Sequence, residues 1–134
     1  MFTYRGIRID NNELIEGYFL REKGYSCIQD KYDEQNIAAV YPRSLAINTL
    51  VRDKNDKYIF ANFPLNNGQL TQGCDIVHVV RDDGLKDYTS GVYYSDGIFW
   101  TYPQNYQTTE FNRPRILDSW TKEMEIIGTQ FEKE

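Results

Sequence analysis

The stretch GVYYSDGIFW, residues 91–100, decides the fold class of this chain, because it predicts a tight β-hairpin. Its centre is Asp96-Gly97, the dipeptide that a type I′ turn favours since both central residues need a positive φ. A two-residue turn at this point also sets the pairing of the two strands. The predicted pairs are Ser95 with Ile98, Tyr94 with Phe99, Tyr93 with Trp100 and Val92 with Thr101.

Both faces of this hairpin are apolar, since paired residues share a face and aromatic residues occur on each side. One face holds Val92, Tyr94 and Phe99, and the other holds Tyr93, Ile98, Trp100 and Tyr102. An antiparallel hairpin normally keeps one polar face in water, so two apolar faces predict that both sides are covered. We expect one face to line the core and the other to meet a second lobe, another subunit or a ligand.

Burial, rather than stacking on a ligand, is the favoured role for most of these rings. Burying one aromatic side chain is worth on the order of 4–6 kcal/mol at about 25 cal/mol per Å². Stacking on a nucleic-acid base is worth only about 1–3 kcal/mol. The sequence therefore predicts a candidate interaction surface at Tyr93, Trp100 and Tyr102, where the second face of the hairpin meets its cover.

The rest of the chain has the same β pattern, in which short runs of β-branched and aromatic residues alternate with Gly, Asn and Asp. These runs are too short for helices, so the fold is predicted to be mainly β with at most one short helix, over 118–123. The polar segment 62–73 contains Pro64 and predicts an exposed loop between strands. The predicted strands are 4–9, 14–20, 25–29, 37–41, 45–51, 58–61, 75–80, 88–94, 98–102 and 124–131.

The length and net charge of the chain bear on the number of domains and on the kind of partner. A chain of 134 residues predicts one compact domain, or two small lobes that share a core. The net charge of -5 disfavours nucleic acid as a partner, because it repels phosphates at long range. No segment approaches the roughly 18 apolar residues of a membrane span, and the first ten residues lack the apolar run of a signal peptide. We therefore expect a cytoplasmic protein without a membrane segment.

Residues that carry chemistry are scattered in the sequence. His78 is the only histidine and has no nucleophile or metal ligand at useful spacing, so we expect a structural or surface role. Cys27 and Cys74 are expected to be buried free thiols. The segment 53–64 resembles a calcium loop only in its first residues, since Tyr58 replaces the glycine that such a loop needs. We therefore predict no catalytic, cofactor or metal site, and a chain that is not an enzyme.

A modest basic strip is the basis of the alternative function. Arg5, Arg8 and Arg21 alternate with Tyr4 and Tyr18 near the beginning of the chain, and Arg113 and Arg115 add to them near its end. Small barrels often bind single-stranded nucleic acid through a sheet face that carries aromatic residues. Nucleic-acid binding or a regulatory role is therefore the alternative to a role in protein contacts.

Four strings of the sequence, in order, resemble the YopX family of small proteins from bacteriophages and prophages. They are RGIRIDNNELIEGYFL at 5–20, PRSLAINTLVRDKNDKYIF at 42–60, GCDIV at 73–77 and EIIGTQF at 125–131. Together they span almost the whole chain. Asp56 and Cys74 stand where the family usually has glycine, so these two turns lack the free access of glycine to a positive φ.

The resemblance implies an architecture and a biological setting. It implies an N-terminal β lobe over 1–44 and a small Src-homology-3-type β-barrel over 45–134, with an inserted loop at 62–72. It also implies a phage- or prophage-encoded protein in a bacterial host cell that assembles into homo-oligomers. The expected function is protein–protein contact and self-assembly, with a host or phage protein as a further partner.

Overall fold

The computed structural model describes residues 2–80, 87–101, 115–116 and 124–131. These ranges contain eleven β-strands and one 3-10 turn, η1, at Pro42–Ser44. The fold is therefore mainly β, as predicted. The strands are β1 Tyr4–Ile7, β2 Leu14–Glu22, β3 Tyr25–Asp30, β4 Ile37–Ala39, β5 Ala46–Arg52, β6 Tyr58–Ala61, β7 Asp75–Val79, β8 Tyr88–Ser95, β9 Ile98–Thr101, β10 Arg115–Ile116 and β11 Met124–Thr129.

The strands form two antiparallel sheets. The first sheet has the order β4-β3-β2-β1-β5-β6, and the second has the order β10-β9-β8-β7-β11. Both orders are open among the described residues, although an isolated bridge between Arg8 and Val40 brings the end of β4 back to the end of β1. The boundary predicted between residues 44 and 45 lies just after η1, and strands from both sides of it share the first sheet.

Each of the ten predicted strands overlaps a strand of the structure, and the ends differ by a few residues at most. The short strand β10 was not predicted. The expected helix over 118–123 lies outside the described residues. Asp53-Lys54-Asn55-Asp56 forms the β5–β6 turn, as expected, and Asp56 has a φ of 66°, which glycine adopts more easily than other residues.

The hairpin of β8 and β9 has the predicted register, with Tyr93 opposite Trp100 and Val92 opposite Thr101. Its turn residues Asp96 and Gly97 have φ angles of 54° and 78°, as a type I′ turn requires. The dipeptide thus sets the pairing of the whole hairpin.

One hydrophobic core lies between the two sheets, and both contribute fully buried side chains to it. It begins on the first sheet, where Ile15, Ile28 and Ala38 face inward from β2, β3 and β4. It continues on the second sheet with Val77, Tyr88 and Val92. The two sheets therefore bury each other, which explains why β8 and β9 carry apolar residues on their inner side.

A buried ion pair joins the sheets on one side of this core. Arg5 of β1 donates from Nη2 to Asp75 Oδ1 at 2.7 Å and to the carbonyl of Gly73 at 3.0 Å. The second carboxylate oxygen of Asp75 accepts the backbone N–H of Phe60 in β6 at 2.8 Å. Burial raises the pKa of Asp75 above its usual value, and the charge of Arg5 acts against that rise.

Asn62 joins the sheets a second time, where the first sheet ends. Its backbone bridges to β8, with its N–H on the carbonyl of Val92 at 2.8 Å and its carbonyl on the N–H of Tyr94 at 2.7 Å. Its side chain accepts the N–H of Cys74 at 2.9 Å and donates to Gln130 at 2.6 Å. Asn62 thus makes four hydrogen bonds, which hold β8, Cys74 and Gln130 against the end of the first sheet.

The prediction of an exposed loop over 62–73 is wrong at both ends of the segment. Asn62, Phe63 and Thr71 are buried, and Thr71 Oγ1 accepts the N–H of Phe63 at 3.1 Å. Pro64 and the tip, residues 66–70, are exposed. A polar segment can be buried at its base because each polar group there finds a hydrogen-bond partner.

Candidate interaction surfaces

The predicted interaction surface lies on the outer side of the hairpin. Tyr93 and Trp100 face each other across the strands and are half-buried, while Ile98 is 37% exposed. The indole Nε1 of Trp100 donates to the carbonyl of Ser95 at 3.4 Å, which lays the ring back along the hairpin. Tyr102 lies outside the described residues. We call Tyr93, Ile98 and Trp100 the hairpin surface.

The inner side of the hairpin lines the core, as predicted. Val92 is fully buried and Thr101 is buried, with the Thr101 hydroxyl 2.9 Å from that of Tyr88. Tyr94 and Phe99 stack at a tilt, with 5.1 Å between their ring centroids. The two faces therefore differ: one belongs to the core and the other remains partly open.

The inner rings belong to a larger aromatic cluster between the two sheets. Tyr4 of β1 packs 5.5 Å from Phe19 of β2 and 5.4 Å from Phe63, measured between ring centroids. Burial raises the pKa of the Tyr4 hydroxyl, and its interaction with Tyr94 raises it further. Sequence reasoning did not find this cluster, because its members come from distant strands.

A second apolar surface lies on the first sheet, on the side away from the core. Phe19, Ile28 and Ala38 point inward from adjacent strands, so the residues that alternate with them point outward. We call these residues the outer face. Its rows across β2, β3 and β4 are Tyr18, Gln29 and Ile37, then Leu20, Cys27 and Ala39, and at the hairpin end Tyr25 opposite Glu22.

Large apolar side chains of the outer face are exposed to water. Tyr25 is 62% exposed, Ile37 42% and Tyr18 40%, while Leu20 is half-buried between them. Contiguous apolar side chains on a soluble protein mark interaction sites more often than isolated ones do. The sequence carries the same signal here as in the hairpin, since LIEGYFLRE at 14–22 has apolar residues in both phases of the alternation.

A shallow groove borders the outer face at the β3–β4 connection. Its volume is about 540 Å³, and Tyr18 and Gln29 form the wall that it shares with the outer face. Lys31 reaches across this region to Glu16, with 2.5 Å between Nζ and Oε2, and lies 5.1 Å from the ring centroid of Tyr32. We call this site the groove. Its lining residues are Tyr18, Gln29, Asp30, Lys31, Tyr32, Asp33, Glu34 and Gln35.

Two arginines of the predicted basic strip are neutralised by carboxylates of the chain. Arg5 is held in the buried pair with Asp75, and Arg8 Nη2 lies 2.8 Å from Asp10 Oδ2. Arg21 is exposed at the end of β2. Arg113 lies outside the described residues, and Arg115 is the first residue of β10.

The other side chains that could take part in chemistry lie apart from one another. His78 is half-exposed on β7, with Nε2 3.6 Å from Asp87 Oδ2. Cys27 and Cys74 are buried free thiols, as predicted, and burial raises the pKa of Cys74. Within the described ranges, no three His, Cys, Asp or Glu side chains come together as a metal site, and no helix is long and apolar enough to cross a membrane.

Comparisons with protein families, with curated proteins and with solved structures find no match to this chain.

Proposed function

We propose that this chain is a non-enzymatic, phage- or prophage-encoded protein that acts in the cytoplasm of a bacterial host through protein–protein contacts and self-assembly. The observation that carries the proposal is the outer face, where Tyr18, Tyr25 and Ile37 are exposed together on one side of a sheet. The family resemblance supports the setting, and the Src-homology-3-type barrel of residues 45–134 belongs to the same proposal.

The two apolar surfaces have separate roles in this proposal. The outer face binds a partner protein, and the hairpin surface forms the contact between copies of the chain. Trp100 and Tyr93 suit an interface because large aromatic side chains bury much area at low entropic cost. Half-burial in a single chain leaves them area that a second copy covers.

A pull-down from infected host cells tests the partner role. The matched variants are Ile37→Glu on the outer face and Ile127→Glu on β11, which replace two exposed isoleucines of edge strands. We expect the wild type and Ile127→Glu to retain the same protein, and Ile37→Glu to lose it. Retention that nuclease treatment abolishes would support nucleic-acid binding instead, and retention of no protein would contradict the proposal.

Light scattering after size exclusion tests self-assembly. Trp100→Lys is expected to stay folded and to dissociate, because it places a charge in the contact between copies. Val92→Lys is the control, since this side chain is fully buried and an unpaired charge there costs several kcal/mol. It is expected to lose its β-sheet signal. A wild type that is a strict monomer at micromolar concentration would contradict self-assembly.

A further inference from the structure

We infer that the outer face and the groove together bind an extended peptide segment in which lysine or arginine lies next to alternating apolar residues. This inference rests on the proposed role in protein contacts and names the chemistry of the partner. The apolar rows of the outer face hold the apolar side chains, and the groove at their end holds the basic ones.

The groove sets the sign of the partner's charge. Asp33 and Glu34 are exposed in the β3–β4 connection, and Asp30 is half-exposed beside them. The only basic residue among the lining residues is Lys31, which is already neutralised by Glu16. Arg8 also acts on Asp30, but Asp33 and Glu34 make no ion pair with a described residue, so these two carboxylates favour a cationic side chain at this end of the outer face.

Two tyrosines add a second means of holding a cation. Tyr32 is 88% exposed and Tyr18 is 40% exposed, and both line the groove. The ring of Tyr32 already makes one cation–π contact, with Lys31 Nζ 5.1 Å from its centroid. An aromatic ring beside carboxylates binds lysine and arginine through both charge and the ring quadrupole.

The spacing of the outer face suits an extended segment that runs along β2. Tyr18 and Leu20 are two residues apart on one strand, so their rows are about 7 Å apart. Every second side chain of an extended peptide has the same spacing. A segment whose basic residues enter the groove therefore places its next alternate apolar side chains on the row of Tyr18 and then on the row of Leu20.

Charge favours another protein over a second copy at this site. The chain carries a net charge of -5, so a second copy is repelled by the acidic groove. Five cations of the described residues are also engaged with carboxylates of the same chain. The pairs in the described residues are Arg5–Asp75, Arg8–Asp10, Lys31–Glu16, Arg52–Asp56 and Lys54–Glu125.

Fluorescence anisotropy with two labelled peptides tests the inference on the intact protein. The probe is KKVSLSV, and its control is EEVSLSV, which keeps the apolar residues and reverses the charge. At low salt, about 50 mM, we expect saturable binding of the lysine peptide and at least about tenfold weaker binding of the glutamate peptide. Raising the salt is expected to weaken the binding of the lysine peptide.

Two double variants with the same net charge locate the site. Asp33→Asn with Glu34→Gln removes two of the three negative charges that line the groove, and the asparagine keeps the oxygen that accepts the N–H of Gln35. Asp56→Asn with Asp96→Asn removes two charges from turns far along the chain, where asparagine tolerates the positive φ. We expect the groove double variant to bind the lysine peptide at least about fivefold more weakly. The control double variant is expected to change binding less than about twofold.

Tyr32→Ala gives an independent readout, since this exposed ring contributes little to folding. It is expected to weaken binding of the lysine peptide about threefold.

The inference is overturned by equal binding of both peptides, by no saturable binding of the lysine peptide, or by equal effects of the two double variants. It is also overturned if Ile37→Glu abolishes self-association of the purified protein, since a second copy then occupies the outer face. If the lysine peptide fails while Ile37→Glu still loses the cellular partner, the partner role stands and only this chemistry is wrong.

Discussion

The guanidinium of Arg5 and the carboxylate of Asp75 meet 2.7 Å apart although 70 residues separate them in the chain. The pair joins the first sheet to the second and is almost fully removed from water, with side-chain exposures of 13% and 2%. The guanidinium also lies 4.4 Å from the ring centroid of Phe60. A buried charge of this kind depends on its partner, because water is no longer available to solvate it.

Arg5→Met is expected to lower the free energy of unfolding by about 3–5 kcal/mol, because it leaves Asp75 buried without a counter-charge. Asp75→Asn combined with Arg5→Met is expected to cost less than the sum of the two single changes. Urea unfolding of the four proteins gives the coupling energy directly. Additive costs would mean that the two side chains act independently.

Asp53 is expected to make the protein sensitive to acid. Its burial acts to raise its pKa, but the N–H groups of Ile126, Lys57 and Asn55 outweigh burial and lower the pKa below its usual 3.8. Between pH 3.8 and the lowered pKa, the unfolded chain therefore binds more protons than the folded protein does. The free energy of unfolding falls as the pH drops through this range.

Asp53→Asn tests this sign. The variant is expected to lose about 2 kcal/mol above the usual pKa, because one amide cannot accept all three donors. The difference from the wild type should shrink as the pH falls below 3.8, since the unfolded wild-type chain takes up a proton on Asp53 there, whereas the folded chain does so only at the lowered pKa. Thermal unfolding between about pH 2 and pH 6 measures it. A difference that stays constant over this range would contradict the assignment.

Gly73 is expected to tolerate no side chain. A Cβ at this position would lie 2.0 Å from the carbonyl oxygen of Ser44, which is backbone and cannot move aside. Gly128 is the control, since a Cβ there meets nothing within 4 Å. We expect Gly73→Ala to lose several kcal/mol and Gly128→Ala to change stability by less than about 1 kcal/mol, both measured by urea unfolding.

Asn62→Ala is expected to destabilise the protein by about 2–3 kcal/mol, because the buried N–H of Cys74 then has no acceptor. Asn67→Ala, in the exposed tip of the same segment, should cost less than about 1 kcal/mol. Thermal unfolding of the two variants compares them. Equal costs would mean that composition, rather than the hydrogen bonds of Asn62, sets the stability of this segment.

Local signals in the sequence were sufficient for the strands and for the hairpin register. Asp96-Gly97 fixes its turn because few other dipeptides accept two positive φ angles, and the pairing of Tyr93 with Trp100 follows from it. The alternation of apolar residues predicted the inner side of the hairpin for the same reason. These features depend on neighbours within a few residues.

Features that depend on distant partners were not predictable in this way. Asn62 lies in a polar stretch that resembles a loop, and its partners Cys74, Val92 and Gln130 come from other parts of the chain. Asp53 likewise lies in an ordinary turn but binds Ile126, 73 residues away. Sequence spacing does not indicate which buried polar group will find such a partner.

Strands β6 and β11 lie at the borders of their sheets, where free amides of many proteins recruit foreign strands and seed fibrils. In this chain Asp75 occupies the amide of Phe60 in β6, and Asp53 occupies the amide of Ile126 in β11. A foreign strand that paired with either amide would first have to displace a carboxylate, so each carboxylate hinders strand addition at that point of the edge.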